Sequence, residues 1–508
     1  MNTKQISAAL LLLAVISSAV ACGNASESAP ADTTASQDQA QETVMEAETE
    51  PVDEFGRELI DSALPDDLDF GGDTVTLIYR PEENGLSYYY EFDAPEENGE
   101  TVNDAVYTRN RAVEEKLNVK LNIHMADVSD NGGFESLIKK SVKAGDGSYD
   151  IFPLYGYHGA ALAPEGYFYD LKSMPYIDLS KPWWNQNFIE EMTVYGSLWN
   201  FVGDMSLTST QFTFATFYNK NMFANYFPGV DLYSEVDDGK WTIDRFGDLV
   251  KDAYSDLNGN GQRDNGDFFA WYAPAASTPI DSFQASLDLP LTRWEDDTPV
   301  FVYNSEKAAQ AYQKVLALFH NNDGVKPGKY TFESIEEARD AFSSDLSIFL
   351  IDIIRMTETL RAMNSDYGVL PVFKWNEEQA EYHTTAQDAY SLIAVSAATQ
   401  KPETVAAVLE AMGEYSYRYV TPAYFEIALK RKYARDDNDS RMYDIIIYGR
   451  TFNFGVVNSK SLNDMVQQWR SLIEGNKDTW ISTIEKFVPK VEKSLDKLMT
   501  KYADISGG

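Results

Sequence analysis

The chain has 508 residues, with 80 acidic against 42 basic side chains and a formal charge of −38. Such a surface repels phosphate backbones, which excludes a nucleic-acid binder, and the length calls for more than one core-bearing lobe. The single cysteine, Cys22, excludes a disulfide framework, a zinc knuckle or an iron–sulfur cluster made by one chain.

Lys4, the apolar run 6–16 and the small residues up to Cys22 form an export signal over residues 1–21, too short to span a bilayer. The run 19–23 (AVACG) resembles a bacterial lipobox, with Ala19 where leucine is usual, and that resemblance implies lipidation of Cys22. Residues 23–70 hold fourteen acids against Arg57 and too little apolar surface to fold alone, so 22–71 reads as a lipidated cysteine and a disordered acidic tether. No other segment reaches transmembrane length.

Beyond the tether, 74–79 (TVTLIY) alternates as a strand does, 102–117 has helical spacing, 119–125 returns to a period of two, 134–144 is helical, and 149–155 (YDIFPLY) is a buried strand. Strand and helix in alternation imply an α/β fold with a parallel sheet, whose ligands bind beyond the carboxyl ends of the strands. Tyr79, Arg80, Tyr155 and Tyr157 fall there. β-like runs follow over 201–219, then helices at 243–254, 306–320 and 333–342, and strands at 347–351, 367–372 and 390–395. A helix at 401–413 opens with Pro402 in its first turn, and another at 479–502 should kink at Pro489.

The segments 145–156 (GDGSYDIFPLYG), 183–204 (WWNQNFIEEMTVYGSLWNFVGD), 217–223 (FYNKNMF), 347–355 (SIFLIDIIR) and 367–372 (YGVLPV), in this order after a lipobox, resemble the bacterial extracellular solute-binding proteins of ABC importers, the group that includes maltose-binding protein. The resemblance implies a two-lobed periplasmic-binding-protein-like (type II) clamp with hinge crossings, closing on a solute without chemistry. Carried onto this chain, lobe 1 would be 72–203 plus 346–388 and lobe 2 would be 204–345 plus 389–508, with hinge crossings near Asp204, Asp345 and Asp388. It further implies a lipid-anchored monomer on the extracellular face of the membrane, delivering its solute to ABC permease subunits.

Sugars present C–H faces to aromatic rings and hydroxyls to carboxylates and guanidinium groups. Most of the 9 Trp and 31 Tyr belong to the core, but position singles out Tyr79, Tyr155, Tyr157, Trp271 and Tyr390, with Trp183 and Trp184 behind them. Asp204, Asp352 and Asp388 stand at the ends of apolar strands, as ligand acceptors or as helix caps and ion-pair partners. Arg355, three residues after Asp352, would share its face if Asp352 opens a helix. The run 256–267 (DLNGNGQRDNGD) places Asp256, Asn258, Asn260, Gln262, Asp264 and Asp267 at calcium-loop positions, with Asp267 where a bidentate Glu is usual. A solvated Asn-Gly turn explains the same run, and structural Ca2+ is the expectation taken forward; no other cofactor is expected.

A secreted glycoside hydrolase is the competing reading, because it needs only two carboxylates. His124, His158, His320 and His383 lack His-x-x-x-His spacing, and neither G-x-S-x-G nor G-x-x-x-x-G-K occurs. The expectation is therefore a binder of carbohydrate, an oligosaccharide, and not an enzyme.

Overall fold

The computed structural model describes residues 52–82, 89–434 and 436–506. The export signal, Cys22 and the tether as far as residue 51 lie outside the described residues.

Twelve strands are described. β1 (Asp73–Tyr79), β2 (Val119–Met125), β3 (Ile151–Tyr155) and β12 (Ser391–Val395) form one sheet in the order β12-β3-β1-β2. β1 is parallel to β2 and β3, whereas β12 runs antiparallel to β3 at the edge. Helices Thr101–Leu117 and Asn131–Ala144 carry the chain from each strand to the next. The first ends at Asn118 in the left-handed region, and Gly145 ends the second in the same way, at φ 63.

The second sheet has the order β11-β4-β10-β6-β5, with β9 beside β6. Its members are β4 (Phe214–Asn219), β5 (Tyr254–Ser255), β6 (Phe268–Ala273), β9 (Val325–Pro327), β10 (Ser347–Ile353) and β11 (Tyr367–Leu370); β7 (Thr292–Glu295) and β8 (Thr298–Phe301) make a separate hairpin. β4 is antiparallel to both β10 and β11. All six of its residues are buried, polar Thr216 and Asn219 among them, so its sequence FATFYN does not alternate apolar with polar.

These pairings correct the expected division of the chain. Segment 346–388 contributes β10 and β11 to the second sheet, and the segment starting at 389 contributes β12 to the first. Two segments pass between the sheets, 156–213 and 371–390, and they pair at Thr213 and Ala386; Phe201 of the first also bridges Ile393 of β12, and Thr384 of the second bridges Arg450. Asp204 and Asp388 lie on connectors. Asp345 does not: it occupies a left-handed turn (φ 58) before β10 and accepts a 2.6 Å hydrogen bond from Asn219 Nδ2.

The end of the expected tether is docked. Leu64 is buried, Phe70 N–H donates to Leu117 O at 3.0 Å, and Arg57 donates to Tyr417 O at 2.7 Å while covering the Tyr417 ring at 4.6 Å. Arg418 pairs with Asp61. One buried leucine and one arginine supply what the acidic composition lacked. Helix Trp480–Ile505 continues through Pro489 as one element. Pro489 and Glu485 are exposed, so the Glu485 carbonyl that loses its N–H partner is open to solvent.

Candidate functional site

Two cavities flank the connector that carries Asp388. The larger, about 500 Å³, lies beyond the carboxyl ends of β3 and β10, between the two sheets. On the side of the first sheet it is lined by Tyr155, the last residue of β3, and by Asn131, at the start of a helix that Asp130 caps through Gly133 N–H at 2.7 Å. Facing them are Thr278, Tyr330, Phe332, Glu336 and Arg339, with Ile353 at the end of β10. Gln387, Asp388, Ala389 and Arg470 complete the lining. The smaller cavity, about 250 Å³, is lined by Tyr157, Tyr390, Phe452, Glu191, Asp281, Gln284, His383 and Asp388, among others.

Tyr330 and Phe332 are 38% and 50% exposed and line this cavity. Local structure holds them there. Thr331 caps helix Phe332–Ser343 by accepting from Ser334 N–H at 3.3 Å, so the chain enters the helix with residues 330–332 outside the core. Tyr155 is half-buried with the Arg80 guanidinium 5.1 Å from its ring centroid.

Arg339 is gripped from behind. Its Nε and Nη2 donate to Asp352 at 2.6 and 3.0 Å, and its Nη1 donates to Glu336 at 2.6 Å. Burial opposes its charge, but Asp352 and Glu336 more than offset this and hold its pKa above the ordinary arginine value. Arg470 projects from helix Met465–Glu474, whose other face buries Trp469 against Trp480. Its Nε donates to Asp281 at 2.7 Å, its Nη2 also pairs with Asp281, and its Nη1 donates to Tyr330 Oη at 3.0 Å. Asp388 lies 3.7 Å from Nη2. Burial, with the like charge of Asp388, pushes Asp281 up to about 6 although Arg470 pulls it down.

In the smaller cavity Tyr157 Oη donates to Asp464 at 2.5 Å and accepts from Gln467 Nε2 at 2.5 Å. Burial first and Asp464 second raise the phenol pKa above its ordinary value. Tyr390 meets Phe452 edge-on at 5.5 Å.

The structure therefore brings Tyr155, Tyr157, Asp388 and Tyr390 to the cavities and leaves the other expected ligand residues out. Tyr79 is buried against Phe92. Trp183 and Trp184 are core residues, Trp184 edge-on to Phe201 at 4.9 Å. Trp271 points into the second core, 5.2 Å from both Phe246 and Phe319. Asp204 offsets the charges of Arg57 and Arg450, and burial pushes it up to about 6. Asp352 acts through Arg339, and Arg355 covers Tyr90 at 5.0 Å and faces Glu358 at 3.7 Å. Sequence reasoning missed Tyr330, Phe332, Arg339, Asp281 and Arg470. Only the first pair carried a signal, two aromatics in the otherwise polar run 328–334 (GKYTFES).

The loop 256–267 is closed by its own hydrogen bonds. Asp256 accepts from the N–H groups of Gly259 and Gly261 at 2.6 and 2.8 Å, and Asp264 accepts from the amides of Asn258 and Asn260 at 2.9 and 2.7 Å. Asp267 accepts from Leu257 N–H at 3.1 Å, and Tyr254 Oη donates to the Gln262 carbonyl at 3.2 Å. Among the described residues no three His, Cys, Asp or Glu side chains are grouped to hold a metal. A calcium ion there would draw on amide and backbone oxygens as well as the three carboxylates.

Residues 94–416 match the family described as bacterial extracellular solute-binding protein. The chain is similar in structure to the cyclic α-maltosyl-1,6-maltose binding protein of Arthrobacter globiformis, with TM-score 0.55 and 14% identity over 84% of this chain and 99% of that one. It is similar to UspC of M. tuberculosis, with TM-score 0.53 and 17% identity over 83% and 100%. A third likeness is to Lmo0181 of Listeria monocytogenes, an ABC substrate-binding protein solved with cycloalternan, with TM-score 0.51 and 14% identity over 85% and 99%. At these identities the likeness establishes the two-lobed type II fold and no more. No curated protein matches the chain.

Proposed function

Because the chain belongs to the bacterial extracellular solute-binding proteins, which work outside the cytoplasm with ABC permeases, we propose that it captures a carbohydrate, an oligosaccharide, in the cleft between its two sheets. The observation that carries this reading is the pair of exposed rings, Tyr330 and Phe332, facing the same cavity as Tyr155 and the charged groups Asp388, Arg339 and Arg470. Rings cover the C–H faces of a pyranose, and carboxylates and guanidinium groups take its hydroxyls.

In this proposal lobe 1 is built on β1, β2, β3 and β12, and lobe 2 on β4, β5, β6, β9, β10 and β11. The two crossing segments, 156–213 and 371–390, are the hinge. A solute touching both lobes binds the closed arrangement best and shifts the population toward it. The closed monomer, anchored through lipidated Cys22, then delivers its solute to the permease unchanged. Among the described residues no helix is long and apolar enough to cross a membrane; the anchor in this proposal is the lipid on Cys22, on the resemblance of 19–23 to a lipobox. Loop 256–267 is proposed to take structural Ca2+; calorimetry with calcium and then chelator tests it, and neither heat of binding nor a shift in melting temperature would end that idea.

The capture reading is tested by differential scanning fluorimetry of the mature protein against oligosaccharides, followed by calorimetry and chromatography of the mixtures. Saturable stabilisation with intact sugar is expected. Shortened products would assign a glycoside hydrolase instead, and stabilisation by peptides alone would refute the sugar reading.

A further inference from the structure

The charges around the two cavities carry the sugar reading one step further. Among the described residues the larger cavity is lined by two cationic side chains, Arg339 and Arg470, and the smaller by none from lysine or arginine. Both guanidinium groups are already matched. Asp352, completely buried, takes two of the Arg339 nitrogens, and Glu336 takes the third. Asp281 takes two of the Arg470 nitrogens, Tyr330 Oη takes the third, and Asp388 stands 3.7 Å away. Arg80, behind Tyr155, is buried, gives its Nη2 to the Ala389 carbonyl and lines neither cavity.

Carboxylates outnumber these cations: Asp352, Glu336, Asp281 and Asp388 surround the two arginines. Glu336 and Asp388 line the larger cavity, and Glu191, Asp281, Asp288 and Asp388 line the smaller. A uronate, sulfate or phosphate group entering here meets carboxylates and finds the charge of each guanidinium already offset, so no uncompensated cation repays its lost hydration. A hydroxyl meets acceptors that it can donate to. The net charge of −38 adds long-range repulsion of anionic solutes in the same sense.

We infer that the cleft selects uncharged sugars and rejects acidic ones, with Glu336 and Asp388 as the residues that enforce the rejection. The inference rests on the carbohydrate reading and deepens it. Specificity of this kind is a difference of affinities produced by a repulsive element rather than by an added attraction. Its size is on the order of a hundredfold for one full charge set against two carboxylates.

The test is an array of neutral glycans beside matched uronate-containing, sulfated and phosphorylated glycans, probed with the mature protein, with calorimetry on the strongest neutral hit and its uronate counterpart. Binding confined to neutral glycans is expected, with at least a hundredfold preference. The double variant Glu336→Gln/Asp388→Asn, checked for an unchanged far-ultraviolet circular dichroism spectrum, should lose at least tenfold of that preference. Acidic glycans bound by the wild type with comparable affinity overturn the inference while leaving the carbohydrate reading intact. Binding to no glycan of either set overturns both. A folded double variant with undiminished preference removes Glu336 and Asp388 from the role.

Discussion

Replacing Asp352 by Ala removes a group that touches no solute and yet organises the cleft. Asp352 is completely buried, takes two charge-assisted bonds from Arg339 at 2.6 and 3.0 Å, and accepts from Ile353 N–H at 2.7 Å. Breaking one member of a buried ion pair typically costs about 3–5 kcal/mol, because the other charge is left without compensation. The Arg339 side chain is 20% exposed to the cleft and keeps Glu336, so water recovers part of the loss and the lower end, ~3 kcal/mol, is expected. Urea unfolding followed by tryptophan fluorescence reads this directly, since Trp241 and Trp271 lie in the second lobe's core. Sugar affinity should fall about tenfold as Arg339 loses its orientation. Replacing both residues, Asp352→Leu with Arg339→Met, should recover much of the stability and none of the affinity. A loss under about 1 kcal/mol for Asp352→Ala would refute the argument that a buried carboxylate holds this arginine.

Phe332→Ala and Tyr330→Ala should each weaken sugar binding by about five- to thirtyfold; the melting temperature should stay within a degree or two for Phe332→Ala, whose ring is exposed, and fall further for Tyr330→Ala, which also strips buried Arg470 of its bond to Tyr330 Oη. Calorimetry checks this, and unchanged affinity in both removes the rings from the site. Affinity should fall as pH drops below about 6, where Asp281 takes up a proton and releases its hold on Arg470. Stability should move the opposite way: the folded-state pKa of Asp281 lies above its unfolded value, so its ionisation between about pH 4 and 6 disfavours the fold; Asp281→Asn should flatten the binding profile. Arg57→Ala should cost about 1–2 kcal/mol, from the ion pair with Asp53, the bond to Tyr417 O and the ring contact, whereas a free tether would give no change in denaturant midpoint.

Elements with strong local periodicity were legible in the sequence. Strands β1, β2 and β3, the two helices that alternate with them, β10 and helix Glu306–His320 all lie within a few residues of their expected bounds. A period of two or 3.6 is a property of neighbouring residues. The place of Tyr155 at the end of β3 follows from the same local pattern, and the structure puts it, with Tyr157 and Asp388, at the cavities, whereas Tyr79 at the end of β1 is buried.

Partnership was not legible. That β10 and β11 flank β4, and that β12 closes the first sheet beside β3, depends on hydrogen bonds between segments far apart in the chain, where apolar runs such as SIFLI and SLIAV are interchangeable as partners. The fate of single side chains depended on the same packing. Trp271 and Trp183 carry the rings a sugar site wants and are sealed in cores, while Tyr330 and Phe332 stay exposed because a helix cap holds the chain away from the core. Arg470, Asp281 and Asp388 meet only when three segments converge. Charge and periodicity are written along the chain; which charges compensate one another is settled in space.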